Sequence, residues 1–199
     1  MRLLSWNYQE LGNSWTIRGL HKIVREQNPT VCLLMDTRMF REDFKKLCKD
    51  TNLPHWFIVK KPGLGGGLAL LWNEGVDVRA INGSDNYILA KVVEEDGSEW
   101  LLTSFYGWPE ASQKPNSWAL LNHIKSFVYG PWVCIRDFNA ILSSIEYLPW
   151  STHGYCKMWS HIEDFHNQNE LWCLTSQIVK LILINLRVVK IVIKSWRFV

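Results

Sequence analysis

On an extended backbone, residues two apart share a face, so Asp137 and Asn139 in Pro131-Trp132-Val133-Cys134-Ile135-Arg136-Asp137-Phe138-Asn139 present a carboxylate and an amide together. A carboxylate that takes a proton, beside an amide that hydrogen-bonds a developing oxyanion, suits attack of water on a phosphate ester. The same tripeptide also reads as a strand end running into an Asx-type turn, because Asp and Asn favour turns. Other polar residues bear on the choice. Asn7 ends the stretch Leu3-Leu4-Ser5-Trp6, Asp36 ends the run Thr30–Met35, and Tyr106 precedes the turn Gly107-Trp108-Pro109. Amide, carboxylate, phenol and Asp-x-Asn fit one hard divalent ion with oxygen ligands, together with groups that hold a phosphate.

These residues need strands to position them. Leu3–Trp6 and Thr30–Met35 read as strands around a helix at Trp15–Glu26, whose Ile17, Leu20, Ile23 and Val24 form one stripe. Phe40–Lys49 and Ser117–Val128 read as helices, and Met158–Asn169 as another. Strands are expected at His55–Val59, Gly67–Trp72, Val76–Ile81, Tyr87–Val93, Glu99–Tyr106 and Trp132–Ile135, with a hairpin at Glu95-Asp96-Gly97-Ser98. A βαβ start followed by an antiparallel meander means a mixed α/β domain. In such sheets ligands gather outside the carboxyl ends of strands, so Asn7, Asp36, Tyr106 and Asp137 are expected to share a crevice.

At 199 residues and 47% hydrophobic content, the chain is long enough for one domain with a full core. Its formal charge of +3 is uneven, because all five Lys/Arg beyond Glu170 face no acidic residue there. The remainder is slightly acidic, which excludes a generally basic nucleic-acid binder. Five scattered cysteines without a C-x-x-C spacing fit reduced thiols inside a cell, in nucleus or cytoplasm. The first residues are too short in apolar length for a signal peptide, and no run of about 18 uncharged apolar residues exists to span a membrane.

Five segments, in order, resemble the endonuclease/exonuclease/phosphatase superfamily, the DNase I-like fold, and specifically the apurinic-type endonuclease domain of plant LINE (non-LTR) retrotransposons. They are L-L-S-W-N-Y-Q-E-L-G-N (3–13), L-L-M-D-T-R (33–38), G-G-G-L-A-L-L-W (65–72), S-F-Y-G-W-P-E (104–110) and P-W-V-C-I-R-D-F-N-A-I-L (131–142). The resemblance covers residues 1–174 and implies a two-sheet α/β sandwich with helices outside. It also implies Mg²⁺- or Mn²⁺-assisted hydrolysis of a DNA phosphodiester. By the same resemblance Asn7 organises the metal and its water, and Asp36 takes the metal-ligand position. Tyr106 lies beside the scissile phosphate, Asp137 orients or activates the water, and Asn139 binds a phosphate oxygen. A sister activity, phosphatase of nucleotides or inositol phosphates, matches the motifs less closely.

The chain departs from that pattern in ways that point to impaired cleavage or a non-catalytic relic. Nothing in it resembles the family's Ser-Asp-His, and its general acid/base contributes typically about 10²–10⁴-fold. Asp36 stands for Glu, a side chain shorter by about 1.5 Å, which Mg²⁺ tolerates poorly. Glu10 and Arg136 replace glycines and Tyr8 replaces a cysteine. The strands that carry the final motifs are expected to be missing, leaving one sheet with an open edge. The tail 175–199 matches nothing in the family. Its basic residues 180, 187, 190, 194 and 197 fall within roughly a 100° arc on a helix, a stripe for a membrane or nucleic acid. The favoured reading is instead translation of a shifted frame or unspliced sequence, which would also explain the abrupt end of the resemblance.

Other signals are discounted. Gly63-Leu64-Gly65-Gly66-Gly67 fits neither a dinucleotide fingerprint nor a P-loop and reads as room for a tight turn. His161 and His166 are five apart and share no helical face, and Cys156 near His153 lacks further ligands for zinc. Trp6, Trp72 and Trp132 are expected in the core, whereas Trp108 is a candidate for DNA contact.

Overall fold

The computed structural model describes residues 1–7, 14–37, 41–61, 66–137, 172–175, 180–184 and 190–195. Strand β1 (Arg2–Asn7) leads through helix α1 (Ser14–Gln27) to β2 (Val31–Thr37) and α2 (Arg41–Asp50). Strands β3 (His55–Val59), β4 (Gly67–Trp72), β5 (Asp77–Ser84), β6 (Tyr87–Val93) and β7 (Glu99–Tyr106) follow. Helix α3 (Lys114–Ser126), β8 (Trp132–Asp137), β9 (Trp172–Thr175), β10 (Lys180–Ile184) and β11 (Lys190–Ser195) complete the described elements. Asn139, Tyr8, Glu10 and the helix expected at Met158–Asn169 lie outside the described residues.

Two sheets form, ordered β11-β1-β2-β4-β3 and β5-β6-β7-β8-β10-β9. Period-two alternation sorts each strand between two layers. Leu3, Leu33, Leu70, Ile88, Leu102, Val133 and Ile135 meet in the core between the sheets. Leu4, Trp6, Cys32, Leu34 and Ala69 turn outward onto Leu20, Val24, Phe44 and Leu47 of α1 and α2. On the second sheet, Leu89, Phe105, Trp132 and Cys134 cover Trp118, Leu121 and Ile124 of α3. Pro115 in the first turn suits α3, since its missing N–H is one of the unbonded donors there. Trp6 and Trp132 are fully buried, as expected, and Trp72 is half-buried. No helix among the described residues is long and apolar enough to cross a membrane.

The chain's last strands correct two expectations. The edge expected to lie open is covered: β10 pairs antiparallel with β8, and β11 pairs parallel with β1. The tail is also not helical where it is described. Its β-branched content favours extended backbone, and two unsatisfied strand edges were available to pair with it. Registering Leu183 with Val133 and Val192 with Leu4 satisfies backbone groups that a basic helix would have left bare.

Candidate active site

The two sheets bring their site strands to one end of the sandwich. Strands β1 and β2 run parallel, with Asn7 in register with Met35. Strands β7 and β8 also run parallel, with Tyr106 in register with Asp137. The end of β3 links the two halves. Val59 pairs with Leu68 beside the end of β2, and a Cβ built on Gly83 of β5 would lie 3.0 Å from Val59 Cγ2. Gly83 in turn pairs with Ile88, which pairs with Ser104 of β7. The carboxyl ends of β1, β2, β7 and β8 therefore lie at the same end of the sandwich. Asn7 and Asp36 end one pair of neighbouring strands there, and Tyr106 and Asp137 end the other.

On the core side of β1, Leu3 is followed by Ser5 and Asn7; on β7, Leu102 is followed by Ser104 and Tyr106. The core thus turns from hydrocarbon to polar groups as it approaches the site. Asn7 is 5% exposed, whereas Tyr106 is half-buried. Ser5 and Ser104 are fully buried, and neither hydroxyl has a hydrogen-bond partner among the described residues. The position of Tyr106 is fixed through its backbone. Its N–H donates to the Asn86 carbonyl at 2.7 Å, and Asn86 Nδ2 donates to the Tyr106 carbonyl at 2.8 Å. Beyond it, the Trp108 N–H donates to Ser117 Oγ of α3 at 3.1 Å, leaving the indole half-buried.

Asp36 is built differently. Its φ of +55° lies in the left-handed region, unusual for a non-glycine residue, and the β2–β4 register shifts between Met35 and Thr37. Strict alternation would send Asp36 outward with Cys32 and Leu34 under the helices. The bulge breaks that alternation, and the carboxylate instead packs, half-exposed, on Gly66. Gly67 meets the Val59 carbonyl so closely that a Cβ there would overlap it. Gly66 and Gly67 therefore serve close backbone approach.

A buried amide and a half-exposed carboxylate on adjacent strands are hard oxygen donors. They fit Mg²⁺ or Mn²⁺, which bind through one or two carboxylates plus substrate phosphates and keep several waters. No group of three His, Cys, Asp or Glu able to hold a metal occurs among the described residues. The thiols take no part. Burial raises Cys32 far above the ordinary thiol range and pushes Cys48 up to about 11, so both stay protonated beneath α1 and α2. A cavity lined by His55, Trp72, Glu74, Glu94 and Glu95 opens at the opposite end, remote from all four strand termini.

Sequence reasoning singled out Asn7, Asp36, Tyr106 and Asp137, which lie in β1, β2, β7 and β8, and passed over four residues near them: Ser5, Ser104, Asn86 and Gly66. The turn Ser84-Asp85-Asn86 was the available signal for Asn86. The two serines carried one too, as polar residues inside otherwise apolar strands.

The folded chain is similar to solved structures of one architecture. The endonuclease domain of TRAS1, a telomere-specific non-LTR retrotransposon, superposes with a TM-score of 0.64 at 12% identity, covering 90% of this chain and 82% of that one. A 3′ phosphatase from Neisseria, NExo, bound to a product DNA hairpin, gives 0.63 at 11% identity over 90% and 85%. D. rerio TDP2 complexed with single-strand DNA product gives 0.59 at 15% identity over 90% and 82%. No protein-family model and no curated protein sequence matches the chain. The fold is a DNase I-like two-sheet α/β sandwich.

Proposed function

We propose that this chain derives from a divalent-metal-dependent DNA endonuclease of the LINE retrotransposon kind and that, as it stands, it cleaves weakly or not at all. One observation supports the reading: the strands bearing Asn7, Asp36, Tyr106 and Asp137 all end on the same side of a DNase I-like sandwich. In this reading Asn7 and Asp36 hold Mg²⁺ or Mn²⁺ through oxygen, and Asp137 orients a water and accepts its proton. Asn139 donates a hydrogen bond to a phosphate oxygen, and Tyr106 flanks the scissile phosphate. The bound ion supplies charge neutralisation on the phosphate as it is attacked.

The weakness of cleavage follows from what is missing among these groups. No Ser-Asp-His occurs in the sequence, the motif that by the resemblance would supply an Asp-oriented histidine for the leaving oxygen. Arg136 puts a cation where the resembling family has Gly. Gly→Glu, Gly→Arg and Cys→Tyr are each reachable by one G-to-A change, the pattern of a decaying element. An intact homologous reading frame without those changes would contradict the decay.

Plasmid nicking in Mg²⁺, run beside Asp137→Ala and Asn139→Ala, tests the reading. The same background in all three proteins is the expected result. Nicking by the parent that both variants abolish would refute the inactivity. The likeness to the Neisseria 3′ phosphatase supports a second reading, release of phosphate from a DNA terminus. A 3′-phosphorylated oligonucleotide in the same assay separates the two activities.

A further inference from the structure

Gly66 lies against the Asp36 carboxylate, and three observations bear on why. Asp36 holds a left-handed backbone at φ +55°. The β2–β4 ladder shifts register around it. A Cβ at Gly66 would overlap both the Asp36 carboxylate oxygen and the Asp36 backbone. An L-residue in that conformation costs stability, less for Asn and Asp than for others, and persists where its surroundings hold it. Bulges near a site commonly re-aim one side chain, and here the Asp36 carboxylate lies against Gly66.

We propose that Gly66 is a positioning residue for the Asp36 carboxylate: its missing side chain lets the bulged strand and carboxylate dock on the start of β4. The bulge supplies the direction and the glycine supplies the space. Neither works alone. Without the bulge, Asp36 falls on the face that carries Cys32 and Leu34, where the layer is apolar. Without glycine at 66, the carboxylate and its backbone are displaced. The functional half of this inference rests on the metal reading above, whereas the structural half does not.

The test is a thermal-unfolding cycle on the full chain: parent, Gly66→Ala, Asp36→Gly and the double variant, each with and without Mn²⁺. Asp36→Gly relieves the left-handed backbone and is expected to raise the melting temperature by about 2–4 °C. Gly66→Ala is expected to lower it by about 4–10 °C. The double variant recovers nearly all of that loss, more than the gain Asp36→Gly gives alone, because glycine at 36 removes the obstructing carboxylate and frees the backbone to move. Mn²⁺ raises the parent's melting temperature and leaves Gly66→Ala and Asp36→Gly unshifted.

Additive penalties in the cycle would overturn the proposal. So would a Mn²⁺ shift that survives in Gly66→Ala. Coupling between the two positions without a Mn²⁺ shift in the parent would leave the Gly66–Asp36 packing standing and remove the metal reading. If Gly66→Ala yields no folded protein, recovery of folded protein in the double variant supports the proposal. A double variant equally unfolded overturns it.

Discussion

The two halves of the candidate site are built in opposite ways. On β1 and β2 the half proposed to hold the metal depends on irregularity: a bulge, a left-handed aspartate, and glycines where no side chain fits. On β7 and β8 the half proposed to hold the phosphate is regular, with an unbroken parallel register from Leu101–Trp132 to Tyr106–Asp137 and an Asn86 side chain bonded to the strand end. Strain of this kind costs stability and clusters where a side chain must point against the local pattern. A regular ladder delivers its residue without that cost. The β2 half is therefore the one in which small backbone changes have large effects, and the β7 half is the more tolerant.

Gly67→Ala should produce the largest effect. Its Cβ would overlap the Val59 carbonyl, so β3 and β4 must part. A loss of about 3 kcal/mol or more is expected in denaturant unfolding, enough to threaten folding of the chain. A Gly67→Ala protein of parental stability would break the comparison, because close backbone approach would then not be a requirement of this half. Asn86→Ala on the regular half should cost less. It removes one side-chain donor from the Tyr106 carbonyl and leaves the backbone bond intact, so about 1–2 kcal/mol is expected by the same measurement. If that loss matches the Gly67 variant, the two halves do not differ in tolerance.

How much of this was legible beforehand follows from the physics of each position. Asn7, Asp36 and Tyr106 were visible because an apolar run that stops at a polar residue marks a strand end. The sandwich was visible because strand and helix periods alternate in order. The bulge at Asp36 was not, because Val31–Met35 is apolar throughout and a buried run carries no alternation from which a break in register shows. Gly66 read as turn material because its role is set by Asp36, which is distant in sequence. The tail misled for a related reason. Its basic residues fall on one helical arc, yet its β-branched residues found unpaired edges at β1 and β8, and tertiary pairing overrode the helical pattern.

The buried hydroxyls beneath the site sharpen the comparison further. Ser5 and Ser104 lie on the core side of β1 and β7, each two residues before a site residue and each without a hydrogen-bond partner among the described residues. Replacing either by Ala removes an unsatisfied polar group and should raise stability by up to about 1 kcal/mol. A loss at Ser5 with a gain at Ser104 would show that the first sheet tolerates no change even below the site.

The smallest effect is a pH dependence in the helix layer. Burial lowers the His21 pKa from its ordinary 6.5, partly offset by Asp50, whose carboxylate lies 4.0 Å from Nδ1. A base with a lowered folded-state value binds fewer protons when folded. Its contribution to stability is therefore whole above pH 6.5 and is lost as pH falls below that through the folded value. His21→Gln should flatten that part of the stability–pH curve by less than about 1 kcal/mol, leaving the high-pH plateau in place. A loss that grows toward high pH would reverse the sign and contradict the burial argument.

Whether Asn7 and Asp36 hold a divalent ion is tested most directly by electron paramagnetic resonance of free Mn²⁺ titrated with the full chain. The account predicts that the parent depletes the free signal with saturable, one-site binding, and that Asn7→Ala and Asp36→Asn weaken it at least about tenfold, as losing one ligand should. Equal depletion by the parent and both variants, or none by the parent, would contradict it.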